Sequence, residues 1–318
     1  MKWRLTIILL AAALVLSPFT SAPAADNLPK VYMTKDISPA GLQKVYAALG
    51  QPAVGKVAVK LTFGEPGNPY YLAPDLIKGL VQSVNGTFID ANTAYGGGRS
   101  STEEHLKVAA DHGFTRVAPV DILDAEGDVS LPVVNGKNLQ EVMVGSHFNN
   151  YDHILVLSHF KGHPMGGFGG AIKNIAIGMA SAKGKSLIHS AGLSATNPFG
   201  SANTHDEFLE SMAEAAQGMI RAKGLENMSY ISVMNNLSVD CDCMSNPSKP
   251  EIHDIGILGS LDPVALDRAC VDLVYAADDR ESAALRERIE SRNGLHLLAH
   301  AEKMGVGSQK YELVMLDD

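Results

Sequence analysis

The chain has 318 residues, 46% of them hydrophobic and 19% charged, and a formal net charge of −9 at pH 7. This is the composition of a globular protein with material for one large or two small domains. An acidic balance with no basic run makes nucleic acid and anionic membrane surfaces poor partners. Only Cys241, Cys243 and Cys270 are cysteines. Three thiols cannot staple a chain of this size, so its core has to come from packing.

Residues 1–24 are a different kind of sequence. Lys2 and Arg4 precede the apolar run Leu5 to Leu16, and Ala22-Pro23-Ala24 supplies small residues at the spacing a signal peptidase reads. The segment is expected to be a cleaved secretory signal. That leaves 25–318 as a periplasmic or extracellular protein with no membrane attachment, since the apolar run falls short of the roughly 20 residues that span a bilayer. No cysteine follows for lipidation and no twin-arginine pair precedes, so any cofactor is expected to be acquired after export.

The mature chain alternates strand and helix signals. Lys56 to Phe63 alternates as a strand and is broken by Gly64-Glu65-Pro66-Gly67-Asn68-Pro69. Pro74 to Val84 follows as a helix. Thr87 to Asp90 is a second strand, running into a turn that carries Tyr95, Gly96 to Gly98 and Arg99. Ser101 with Glu104 forms a capping-box signal for the next helix. Arg116 to Pro119 reads as a strand, and Leu131 to Val134 with Val142 to Val144 as a small meander. Ile154 to Leu157 is a short apolar run of the buried-strand type.

Beyond the central segment, Phe208 to Ala222 is an amphipathic helix and Tyr230 to Met234 a strand. Pro263 to Tyr275, capped by Asp262, and Glu281 to Ile289 are helices, and Tyr311 to Met315 is a closing strand. The pattern predicts an α/β fold with a largely parallel sheet flanked by helices, in two lobes around a crevice. The turns after Phe63, Asp90 and His159 are expected to converge on that crevice, which makes Glu65, Asn68 and Arg99 candidate substrate contacts.

Chemistry concentrates between Ile154 and Ser190. The strand delivers His159, Lys161 and His163 into a loop that contains Gly166, Gly167, Gly169 and Gly170, and a helix starts near Ala171. Backbone N–H groups at that helix start are a candidate anion seat. Lys173 and Asn174 lie in its first turn, and His189 lies beyond the helix. His163, Lys173 and His189 are the candidate catalytic groups; His159, Gly167, Gly169, Gly170 and Asn174 are candidate cofactor contacts. The glycines match neither a P-loop nor a dinucleotide fingerprint, so a tight strand-to-helix connection explains them equally well.

Cys241-Asp242-Cys243 is the second constellation. On an extended segment residues two apart point the same way, roughly 7 Å between Cα atoms, so two thiolates can face one metal, with His253 a candidate further ligand. In an exported protein the alternative is a strained disulfide. Cys270, in an apolar helix, is expected to be a buried inert thiol, and Asp267 and Asp272 to be solvated or capping.

The segments FGEPGNPYY at Phe63, SHFKGHPMGGFGGAIKNIAIGMAS at Ser158, CDC at Cys241, DIGILGSLDPVALDRAC at Asp254 and the tail from Gly294 resemble the domain of unknown function 362 family. Many members carry a cysteine-rich ferredoxin-like insert after the His-Ser pair; here His189-Ser190 runs straight into AGLSATNPFG. The resemblance therefore implies a metal or iron–sulfur role only through the CDC pair. A more distant resemblance links His163, Lys173 and His189 to the central histidine, lysine and histidine of nickel-dependent lactate racemase. It implies a nickel pincer-type nucleotide with the lysine as covalent anchor and a histidine as nickel ligand. The turn NTAYGGGR lacks the histidine which that family places there. The function expected is an uncharacterised exported protein that binds a metal or cofactor and acts on a small anionic molecule. A non-catalytic metal or iron–sulfur redox protein, or a periplasmic binding protein, is the alternative.

Overall fold

The computed structural model describes residues 28–317, so the expected signal segment lies outside the described residues. In chain order the elements are β1 (Lys30–Thr34), α1 (Pro39–Ala48), β2 (Val57–Lys60), α2 (Pro74–Ser83), β3 (Thr87–Asp90), α3 (Thr102–Asp111) and β4 (Val120–Ile122). A hairpin of β5 (Asp128–Pro132) and β6 (Glu141–Gly145) leads to β7 (His153–His159) and a second small hairpin, β8 (Lys161–His163) with β9 (Gly167–Gly169). Then come α4 (Ala171–Met179), α5 (Ala182–His189), α6 (His205–Lys223), β10 (Met228–Met234), β11 (Gly256–Ser260), α7 (Pro263–Ala276), α8 (Asp279–Ser291), α9 (Leu295–Lys303) and β12 (Glu312–Met315).

Eight strands form one sheet in the order β12-β1-β11-β10-β7-β2-β3-β4. Every neighbouring pair is parallel except the two that β11 makes, with β1 and β10. The α/β fold with a largely parallel sheet is thus what the alternating pattern indicated. Helices cover both faces. In β7, Ile154 and Val156 join one core with α4, α6, α7 and α9, while Leu155 and Leu157 join the other with α1, α2 and α3. Burial on both sides explains why this strand reads as an unbroken apolar run rather than an alternating one.

Strand order fixes where a site belongs. The chain steps from β2 outward to β3 and β4, then returns through β7 on the other side of β2 and continues to β10. The order therefore reverses between β2 and β7, and a crevice opens beyond the carboxyl ends of strands at such a reversal. Lys60, Asp90 and His159 are the last residues of β2, β3 and β7.

Several local expectations shift. Arg116 to Pro119 is not a strand: Phe114–Arg116 is a turn of 3-10 helix and the strand begins at Val120. The loop after β7 is a hairpin in which Lys161 pairs with Gly169 and His163 with Gly167. The start of α4 is not an open anion seat. Asp267, reaching across from α7, accepts the Ala171 and Ile172 N–H groups at 2.6 and 3.0 Å. Gly170 is glycine for the same reason, since a Cβ there would lie 2.3 Å from an Asp267 oxygen. Asp267 is thus a cap, as one of its expected roles had it, and burial pushes its carboxyl up to about 7 against the pull of those two N–H groups.

Asp267→Ala would leave two buried donors without an acceptor and is expected to cost about 2 kcal/mol in urea unfolding. Asp267→Asn keeps one acceptor and should lose less. Equal, negligible losses would show that the cap contributes nothing.

Candidate functional site

The crevice beyond β2, β3 and β7 is lined by Lys60, Asp90, Arg99, Lys161, Lys173, Lys185, Asn174, Cys241 and Cys243, together with His159, Tyr95 and smaller or apolar residues. Five of these side chains are cationic and one, Asp90, is a carboxylate. Asp90 is shared: Lys60 Nζ approaches one oxygen at 3.1 Å and Arg99 the other at 3.4 Å. Burial alone would raise the Asp90 carboxyl, but Lys60, His105 and Arg99 around it hold it far below the carboxylate range. Lys60 is fully buried, and its ammonium donates to Asp90, to the Leu61 carbonyl and to Asn174 Oδ1. Arg99 reaches Glu65 at 2.9 Å and Thr62 Oγ1 at 2.9 Å.

The turn after β2 also supports the cysteine segment. Glu65 N–H donates to the Asp242 carbonyl at 2.8 Å, and Asn68 Nδ2 donates to the Cys241 and Met244 carbonyls at 3.4 and 2.9 Å. Asp242 is locked from the other side by His159 Nδ1 at 2.9 Å and Lys161 Nζ at 2.7 Å. Burial works to raise the Asp242 carboxyl; His159 and Lys161 overcome it and hold it low. With the middle residue clamped, the two flanking thiols face the crevice. Both are free in the structure.

Cys241 Sγ gathers donors. Lys173 Nζ lies 3.8 Å away, the Cys243 N 3.3 Å away, and the His163 ring and the Cys243 sulfur stand beside it within 4.8 Å. The Cys243 hydrogen bond, Lys173 and His163 pull the Cys241 thiol well below its ordinary value against the opposing effect of burial, and the shared proton pushes Cys243 well above it. His163 Nδ1 accepts the Gly166 N–H at 2.8 Å and the Met165 N–H at 3.2 Å. Burial, reinforced by Lys173, lowers this imidazole to about 4. A neutral ring that accepts at Nδ1 carries its proton on Nε2.

His163, Cys241 and Cys243 place ligand atoms within 4.8 Å of one another. The histidine set against the thiol pair is therefore His163. His253 is exposed on the surface and pairs with Glu281 at 2.7 Å. The remaining candidates divide. His159, Gly169, Gly170, Lys173 and Asn174 line the crevice. Both ring nitrogens of His159 face acceptors, Asp242 and the Asn235 carbonyl. Asn174 ties β2 to β7 through the Lys60 and Leu157 carbonyls. Gly167 lies against Ile289 and Gly294 instead.

His189 stands one layer away from the crevice. Its Nδ1 donates to the Lys185 carbonyl at 2.7 Å, its ring stacks on Phe208, and Tyr95, which lines the crevice, meets it edge-on. Burial lowers it to about 4. Lys185, like Lys60 and Asp90, is a crevice residue that the sequence did not single out. It is 3% exposed, its ammonium donates to the Ala91 and Ala180 carbonyls, and burial lowers it to about 8 even though Asp124 and Asp90 oppose the shift.

The model of the family described as domain of unknown function (DUF362) matches residues 57–272. The chain belongs to this family. The DUF362 match takes in every crevice residue, from Lys60 to Cys243, and ends before the tail whose sequence also resembled the family. No curated protein matches the DUF362 chain. Among solved structures, the lactate racemase apoprotein from Thermoanaerobacterium thermosaccharolyticum is similar at 14% identity with a TM-score of 0.42, covering 76% of this chain and 56% of that one. A protein from Thermotoga maritima is similar at 14% identity with a TM-score of 0.44, covering 80% and 58%. The chain thus spans little more than half the length of either structure.

The folded protein keeps His163 and His189 neutral, and burial also lowers His105 and His153. The unfolded chain takes up protons on these rings below about pH 6.5, so stability is unaffected by them above that pH and falls as pH drops toward 4. Denaturant unfolding at pH 4.5 should show a loss of about 2 kcal/mol or more relative to pH 7. A flat profile over that interval would contradict the neutral-histidine site.

Proposed function

We propose that this DUF362 protein binds a small anionic molecule in the crevice and acts on it with the help of a metal ion or cofactor held at the Cys241–Cys243 edge. One observation carries the reading: the Lys185 ammonium, buried at the crevice, donates to backbone carbonyls alone. Lys60 and Arg99 are neutralised by Asp90 and Glu65, and Lys161 by Asp242, whereas Lys185 rests only on carbonyls. An ammonium buried on carbonyls alone is costly, and a ligand carboxylate or phosphate supplies a direct ionic partner.

The donor set suits a soft or borderline metal bound by thiolate sulfur. Cys241 and Cys243 need no rearrangement to serve. His163 does, because a ligating Nε2 requires the proton on Nδ1, which here accepts the Gly166 N–H. The set does not fit a four-thiolate iron–sulfur cluster: the third cysteine, Cys270, is fully buried in α7. A nucleotide cofactor anchored on Lys173 would have to seat its phosphates on crevice cations such as Lys185, since Asp267 already occupies the start of α4. The leader at residues 1–24 supports export as the setting for this function.

Two measurements test the reading. Millimolar orthophosphate or succinate should raise the melting temperature of the wild type, following RT ln(1 + [L]/Kd), and much less that of Lys185→Met. Equal or absent shifts in both proteins would remove the anion site. Metal analysis of purified protein should show metal lost in Cys241→Ser/Cys243→Ser and largely retained in His163→Ala. Metal that follows His163 instead, or no metal in the wild type, would overturn the thiolate assignment.

A further inference from the structure

The two sulfurs are arranged for chemistry of their own, separate from anion binding. Two hydrogen-bond donors converge on Cys241 Sγ, the Lys173 ammonium and the Cys243 N–H, with the Cys243 sulfur and the His163 ring within 4.8 Å. Because His163 Nδ1 is occupied by two backbone N–H groups, the ring faces the sulfur as a donor and cannot act as its base. A cation and a backbone N–H directed at this sulfur of the pair single it out as the one that attacks. The second sulfur lies within 4.8 Å of the first. Cys243 is less buried than Cys241 and borders both the crevice and the outer hollow formed by Glu65, Pro66 and Gly96.

Access decides the oxidant. Cys241 is 3% exposed and is reached through the crevice, which excludes bulky disulfides and admits a small peroxide. We propose that Cys241 and Cys243 form a peroxide-reactive dithiol in which Cys241 is attacked first and Cys243 resolves it to a disulfide.

The steps balance. The Cys241 thiolate attacks one oxygen of hydrogen peroxide, the O–O bond breaks, and hydroxide leaves with a proton from the Lys173 ammonium, which solvent restores. Cys241 is then a sulfenic acid. The Cys243 sulfur attacks it; an S–S bond forms, the S–O bond breaks, and the departing hydroxide takes the Cys243 thiol proton as water. The sulfur pair has lost two electrons, and one peroxide has become two waters. A disulfide removes both thiolates as metal donors, so oxidation and metal binding at this edge exclude each other.

The test uses the full chain, treated with chelator and then with one equivalent of hydrogen peroxide. Intact-mass and thiol-alkylation analysis should show loss of two hydrogens confined to Cys241 and Cys243, with Cys270 still reduced, at a rate at least tenfold above that of free cysteine. Cys243→Ser should accumulate a dimedone-reactive sulfenic acid on Cys241. Oxidation of Cys241 no faster than free cysteine, or dimedone labelling of Cys243 first, would overturn the proposal. The wild-type mass result stands without any variant having to fold. It is also independent of the phosphate and succinate shifts, so failure here leaves the anion site untouched.

Discussion

Everything in the crevice depends on the Asp90 carboxylate at the end of β3. It stands between Lys60 from β2 and Arg99 from the following turn, with all three side chains almost wholly buried. Charges taken out of water at this depth are stable only as a fully partnered set, because desolvation costs several kcal/mol per ion. Partnering Lys60 requires Asn174 on α4, and Asn174 in turn fixes α4 against β2 and β7. Partnering Arg99 requires Glu65, whose backbone holds the Asp242 carbonyl. One carboxylate thus couples three strands, α4 and the cysteine segment.

A second clamp mirrors the first. Asp242 sits between His159 and Lys161, and this orients its two cysteine neighbours. The crevice therefore has a cationic wall and a sulfur edge, each set by a buried carboxylate. Hydrophobic packing could produce neither arrangement, and a fold that needed only stability would fill the same space with apolar side chains at lower cost.

The fold and much of the site were legible in the sequence, for physical reasons that differ by element. The run Ile154 to Leu157 announced a strand buried on both faces, and Asp262 and Ser101 announced helix starts that the structure caps as expected. The convergence of three turns followed from strand ends in a parallel sheet. β11 escaped notice because its sequence, GILGS, carries glycine where strand signals are read. α5 escaped because its polar residues, Lys185 among them, give little amphipathic contrast. His253 is close to the cysteines in sequence, yet it pairs with Glu281 from α8, a long-range contact that no local pattern encodes. The tautomer of His163 was equally hidden, since it is set by the backbone of the turn at Met165 and Gly166.

The central claim is that the crevice cations exist to hold an anion. It is tested most directly by soaking crystals in selenate and locating the anion by anomalous diffraction at the selenium edge. An anomalous peak inside the crevice, within hydrogen-bond distance of Lys185 Nζ and lost in Lys185→Met, is the predicted result. Selenate bound only at the outer surface, with the crevice filled by water, would contradict the account.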